Sequence, residues 1–203
     1  VAVSAMERSP ITEDDVEETA EKKRNVSRET LLQHPRFMQE HALTPAERGS
    51  AVHKALGLIS YEALRQAGKL SNGLILKQLD LLCEQGRLTS LEREAVRPEA
   101  LYRFFTSDLG QRALRSPAVR REWSFDLRAA KNAYLQGVID LCFQENGAWI
   151  LVDYKTDRAD EEELKNRYKI QLNIYAEALE KATGAKIKEK VIYSFHNTKI
   201  IEL

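Results

Sequence analysis

Cysteine is nearly missing from this chain: two, Cys83 and Cys142, stand far apart among 203 residues. Two thiols cannot supply a cysteine-ligated iron–sulfur cluster or a four-cysteine zinc site, and they make no disulfide framework. A reducing compartment, hence the cytoplasm, is the expectation. No apolar run approaches the roughly 18 residues of a spanning helix, and the acid-rich opening is unlike a signal peptide. Excess charge of either sign is also missing, since 31 Lys+Arg balance 31 Asp+Glu. That balance disfavours a purely electrostatic nucleic-acid coat. A G-x-x-x-x-G-K-[ST] phosphate loop is absent too: Gly68-Lys69 runs into Leu70, so no nucleotide-driven motor is expected here.

What is present is an ordinary globular composition, 43% apolar and 31% charged, long enough for one domain with an attached arm. The charge is segregated. Residues 1–30 hold eight acids against five bases, while residues 97–131 hold eight bases against four acids. The basic stretch is compatible with a polyanionic substrate, although a solvated helical face is the more usual meaning of such a stretch.

Residues 1–43 are polar and poor in apolar periodicity, and read as a lead-in to a domain at 44–203. Thr44-Pro45-Ala46-Glu47 is a helix start, and the helix is expected to reach about residue 66, with Gly68 ending it. A second helix is expected over 74–85, closed by Gly86, and two short ones over 90–115, parted near Ser107-Asp108. From Pro117 the texture becomes strand-like, over 119–127, 133–144 and 148–155, with an Asn146-Gly147 hairpin turn. A helix from Asp160 to Gly184 and strands over 190–195 and 198–203 follow. The expectation is an α/β domain with a mixed central sheet flanked by helices and a helical N-terminal region.

Counting outward from the turn pairs Glu145 with Ala148, Phe143 with Ile150, Leu141 with Val152, and Asp140 with Asp153. Like charges directly opposed are destabilising, and both aspartates lie in apolar runs. A divalent cation resolves the conflict; a proton shared by the pair, or a salt bridge to Lys155, is the structural alternative. Asp153 and Lys155 share a strand face, which puts an ammonium beside the acids.

At these residues the chain resembles the PD-(D/E)XK nuclease superfamily, in its RecB-type branch. Gly137-Val138-Ile139-Asp140, Asp153-Tyr154-Lys155-Thr156-Asp157 and Gln171-Leu172-Asn173-Ile174-Tyr175 match G-x-[IV]-D, D-Y-K-T-[DN] and Q-[LI]-x-x-Y. Upstream, Gly49-Ser50-Ala51-Val52-His53 resembles the G-x-x-x-H helix motif, and Arg121-Glu122-Trp123-Ser124-Phe125 the R-E-x-x-F strand. Five motifs in order across 44–203 make the likeness specific. Val1 to Arg8 and Arg103 to Gly110 further resemble the C-terminal nuclease domain of AddA-type subunits of bacterial AddAB helicase–nucleases.

The resemblance implies a restriction-endonuclease-like fold and magnesium-dependent (or manganese-dependent) hydrolysis of DNA, on single strands delivered by a helicase motor. Double-strand-break processing, a partner of the AddB type and a motor elsewhere in a longer chain follow from the same likeness. Two cysteines set aside the iron–sulfur variant of the family. His53, Asp140, Asp153 and the backbone carbonyl of Tyr154 are implied as metal ligands, with Lys155, Asp153 and Asp140 as the catalytic set. Gln171 and Tyr175, one helical turn apart, are implied to line the site, the alternative being packing against the sheet. Glu122 either approaches the metal or hydrogen-bonds within the site, the alternative being a salt bridge to an arginine. Asp157 is expected to fix the loop after Lys155, Gly49 to leave room for a close neighbour, and Trp123, Tyr134 and Trp149 to pack. A stand-alone RecB-like exonuclease and a non-cutting DNA-binding module on the same fold are the rival readings.

Overall fold

The computed structural model describes residues 43–203, apart from residues 131 and 132. The lead-in expected over 1–43 falls almost wholly outside the described residues, as does the Tyr134 side chain. Helix α1 (Pro45–Leu58) starts on the expected signals. The Thr44 side chain accepts from the Glu47 N–H at 3.3 Å, and the Glu47 carboxylate accepts from the Thr44 N–H at 2.7 Å. Such caps are worth about 1 kcal/mol.

The helix does not continue to residue 66. It stops at Ile59, whose extended backbone leads into Ser60, the cap of α2 (Tyr61–Gln66). Gln78 stabilises the break from 18 residues away, accepting from the Ser60 N–H at 2.7 Å and donating to its carbonyl at 3.4 Å. Gln78 itself belongs to α3 (Asn72–Glu84), which Gly86 closes with φ 68°. Three helices, not two, fill the next stretch: α4 (Ser90–Ala95), α5 (Pro98–Thr106) and α6 (Asp108–Arg115). Pro98 is the reason, because it holds Arg97 in an extended conformation and so interrupts the helical run. Ser107 ends α5 and caps α6 through the Gly110 N–H at 3.2 Å.

Strands β1 (Val119–Ala130), β2 (Ala133–Glu145) and β3 (Ala148–Lys155) form the expected antiparallel meander. Asn146 and Gly147 both take positive φ, 53° and 81°, which suits the right-handed twist of a tight hairpin. Asp160 caps α7 (Glu161–Thr183) by accepting from Glu163, and Gly184 closes it in the left-handed region. This helix crosses over to β4 (Ile187–Ser194), parallel to β3, and β5 (Lys199–Glu202) completes a mixed sheet in the order β1-β2-β3-β4-β5.

Both faces of the sheet are covered. Leu141, Phe143, Val152, Tyr154 and Tyr193 pack against the layer of α1 to α6. Ile139, Leu151 and Ile192 pack with Leu172 and Leu179 of α7. β3, at the centre, is buried almost throughout, as a strand covered on two faces must be. Cys142 is buried, its thiol pushed up to about 12 by that burial, and neither it nor Cys83 forms a disulfide. Among the described residues no helix is long and apolar enough to cross a membrane.

Candidate active site

The β2–β3 ladder follows the expected register from Glu145–Ala148 through Phe143–Ile150 to Leu141–Val152. There it ends, and Asp140 does not face Asp153 as a ladder pair. Instead the Asp140 side chain takes over a backbone partner: Oδ2 accepts from the Tyr154 N–H at 2.7 Å. Its other oxygen, Oδ1, lies 3.0 Å from Nδ1 of His53 on α1. A carboxylate accepting from Nδ1–H leaves Nε2 as the lone-pair nitrogen of the imidazole. Asp140 therefore joins the sheet to the helical layer at this point.

The β1–β2 ladder is interrupted at the same level, between Arg121–Leu141 and Trp123–Ile139. The residue opposite Asp140 is Glu122, held at φ 47°, an uncommon conformation for a side-chain-bearing residue and of the kind that collects at functional sites. Its neighbours explain how it is kept there. Arg121 turns toward the helices, its guanidinium 4.6 Å over the Tyr61 ring and donating to the Ile59 carbonyl. Trp123 and Phe125 turn the other way, into the core under α7. Strand alternation thus slips by one at Glu122, and its carboxylate joins His53 and Asp140, with ligand atoms within 4.8 Å of one another. Gly57 makes the space, since a Cβ there would lie 2.6 Å from Glu122 Cγ. Among the described residues no arginine pairs with Glu122, the alternative expected for it.

Asp153 and Lys155 share a face as alternation requires. Lys155 Nζ sits 2.8 Å from Asp153 Oδ2, with the two side chains 14% and 4% exposed. Oδ2 is buried, and the Lys155 ammonium is the group that compensates it. Burial pushes the Asp153 carboxyl up to about 6, with Lys155 opposing and the Asp140 charge adding. Glu122 is raised by burial and by Asp140, against His53. Burial would lower His53, but the Asp140 hydrogen bond and the charges of Asp140, Asp153 and Glu122 outweigh it, and its pKa rises. Lys155 is likewise raised, Asp153 outweighing burial. An imidazole and clustered carboxylates, one of them buried with a single ammonium as its partner, are donors of the kind a divalent cation takes, and the residues fit one. Asp153 stands outside the tight His53–Glu122–Asp140 group, which differs from the ligand set the motifs imply.

The remaining expectations divide. Tyr154 is fully buried, its ring edge-on to His53 and Phe104, which anchors the peptide whose N–H binds Asp140. Asp157 fixes the loop as expected, accepting from Tyr168 Oη at 2.6 Å and Arg167 Nη1 at 3.1 Å. Gly49 clears room for Thr156, whose Oγ1 would be 2.9 Å from an added Cβ. Gln171 Nε2 donates to Tyr175 Oη at 2.9 Å, and the Tyr175 ring packs edge-on against Phe125 beside Gly137. These contacts are with each other and with the sheet. Trp149 is buried, and Arg120 lies over both it and Trp123.

The basic stretch is not one face. Arg112 is engaged by Glu145 and Glu189, Arg121 by Ile59 and Tyr61, and Arg120 by the two indoles. An open cleft of about 1710 Å³ reaches the site, lined by His53, Gly57, Glu122, Lys155 and Tyr168, with Arg48, Lys54, Arg97 and Arg158 around it. Two participants escaped sequence reasoning. Gly57 had a signal, because Gly49, His53 and Gly57 follow at four-residue spacing on one helical face. Tyr168 had none beyond a place in an apolar periodicity.

Comparison with known proteins agrees with this fold. A family model described as the PD-(D/E)XK nuclease superfamily matches residues 23–200. The chain is 31% identical over 192 residues to an ATP-dependent helicase/nuclease subunit of Clostridium acetobutylicum, covering 86% of this chain and 15% of that protein. The same-named subunit of Alkaliphilus metalliredigens is 37% identical over 183 residues, covering 82% and 15%. That of Clostridium beijerinckii is 34% identical over 226 aligned positions, covering 100% and 17%. The chain thus spans about a sixth of the length of these relatives. With five motifs in order, a mixed five-stranded sheet and a matched family model, the chain belongs to the PD-(D/E)XK nuclease superfamily.

Proposed function

We propose that this chain is the nuclease domain of an ATP-dependent helicase–nuclease, hydrolysing phosphodiester bonds of DNA strands during double-strand-break processing for recombinational repair in the cytoplasm. The motor that unwinds DNA lies in the rest of a longer polypeptide, and an AddB-like protein is its partner. The observation that carries this reading is the buried Asp153–Lys155 ion pair at 2.8 Å beside the Asp140–His53–Glu122 group. The shared name of the relatives, which are ATP-dependent helicase/nuclease subunits, supplies the context.

Magnesium, or manganese in its place, would be held by His53, Asp140, Asp153 and the Tyr154 carbonyl, with Glu122 as a further carboxylate. When bound, such an ion polarises a phosphate oxygen and acidifies a water. Lys155 orients the attacking water and stabilises negative charge growing on the phosphate. Asp140 fixes the imidazole of His53 and the peptide of Tyr154 together. Gln171 and Tyr175 support the substrate strand from α7, and the arginines around the cleft meet its phosphates.

Digestion of single- and double-stranded DNA with magnesium or manganese tests the reading. The wild type cuts single strands, and Asp153→Ala and Lys155→Ala lose about a hundredfold or more in rate. Equal cutting by the variants would contradict the assigned site. If the wild type binds manganese by calorimetry yet cuts neither substrate, the non-cutting module is the correct reading.

A further inference from the structure

The Lys155 ammonium is held from two sides. Asp153 Oδ2 is 2.8 Å from Nζ, and the centroid of the Tyr168 ring is 3.9 Å from it. The ring is itself fixed. Its hydroxyl donates to Asp157 Oδ2 at 2.6 Å, and Arg167, the preceding residue on α7, donates to the same oxygen at 3.1 Å. Asp157 lies two residues beyond Lys155, so the contacts close a loop running from strand to loop to helix and back to the lysine. Tyr168 also stands three residues before Gln171, on the side of α7 that faces the sheet.

An aromatic face attracts a cation through its quadrupole and carries no formal charge. That difference matters beside acids. A carboxylate that pairs with an ammonium while facing a divalent cation divides its charge between them, whereas a neutral ring does not compete for the ion. The two partners of Lys155 therefore do different things: Asp153 supplies charge, and Tyr168 supplies place.

We propose that Tyr168 is a positioning residue for Lys155, its ring face fixing the ammonium, with the ring held chiefly by its packing from α7 and only secondarily by Asp157. The proposal rests on the reading of Lys155 as the catalytic lysine. It predicts that the ring matters more than the hydroxyl.

The test uses the 203-residue chain with single-stranded DNA and manganese. Tyr168→Phe keeps kcat within about threefold, while Tyr168→Leu lowers it about tenfold with KM little changed, the range expected from a partly desolvated cation–π contact. Phenylalanine carrying one, two or three ring fluorines at position 168 weakens the quadrupole in steps without changing the ring's shape much. The rate falls in the same steps. Independently of cutting, the Lys155 ε-methylene protons are shifted upfield by the ring in the wild type and in Tyr168→Phe, and return to ordinary values in Tyr168→Leu.

A flat fluorine series, or ordinary ε-proton shifts in the wild type, would overturn the proposal even if Lys155→Ala abolishes cutting. Unimpaired cutting by Lys155→Ala would instead overturn the reading of the lysine beneath it, and the proton shifts tell the two failures apart.

Discussion

At the turn end of the β2–β3 hairpin, Glu145 and Glu189 share Arg112, which reaches both at 2.9 Å, and Lys188 adds a contact to Glu145 at 2.8 Å. At the open end, Asp140, Asp153 and Glu122 share His53 and Lys155, three acids to two basic groups. The hairpin thus has a matched set of charges around its turn end and a crowded, acid-rich set around its open end. The acidities follow. Glu145 is held down at about 2 by Arg112 and then Lys188, whereas Asp153 is pushed up to about 6. Charges arranged for stability lower carboxylate pKa values; charges crowded in a cleft and raised mark a place where stability has been given up to chemistry.

Breaking the matched end has the largest expected effect on folding. Arg112→Ala leaves Glu145 and Glu189 to share Lys188 alone and is expected to cost about 2 kcal/mol, a fall of roughly 6 °C in Tm for a domain of this size. Calorimetric melting measures it, and the rate of DNA cutting per folded molecule should not change. A change in that rate would mean that the two ends are coupled. Gly57→Ala disturbs the other end more gently. The new methyl group displaces Glu122, and manganese affinity by calorimetry should fall about tenfold, in the range of supporting residues at metal sites. Unchanged affinity would take Glu122 out of the ligand set.

The smallest effect is one of pH. Because the folded-state pKa of Glu145 lies below its ordinary value of 4.5, its contribution is fully present above about pH 4.5 and is lost as pH falls toward 2. The Tm difference between wild type and Glu145→Gln should therefore be constant near neutrality and vanish at the acid end. A difference that grows on acidification would reverse the sign assigned to this pair.

Much of the open end was legible because its causes are local. Asn146-Gly147 sets the turn, the turn sets the register, and the register brings Asp140 near Asp153 and puts Lys155 on the Asp153 face. The step that local rules miss is the slip in alternation at Glu122 and Asp140, where two ladders open together. It depends on Arg121 finding the Ile59 carbonyl and on Gly57 lacking a side chain, both more than 60 residues away in the chain. The break between α1 and α2 is of the same kind, made by Gln78. Pro98, by contrast, breaks its helix by a local rule that the expected pair of helices did not include. Gln171 and Tyr175 share a face as their spacing says, yet spacing alone could not tell a substrate contact from the packing against Phe125 and Gly137.

Thermal melting of the wild type and Asp153→Asn, each in chelator and in manganese, tests the contrast between the two ends most directly. In chelator, Asp153→Asn removes a buried charge but also the partner of the buried Lys155 ammonium, and because the two effects oppose, the wild type and the variant are expected to melt within a few degrees of each other. Manganese then raises the wild-type Tm and leaves that of the variant nearly unmoved. A wild-type Tm that manganese does not move, or one that manganese raises equally in the variant, would contradict the account.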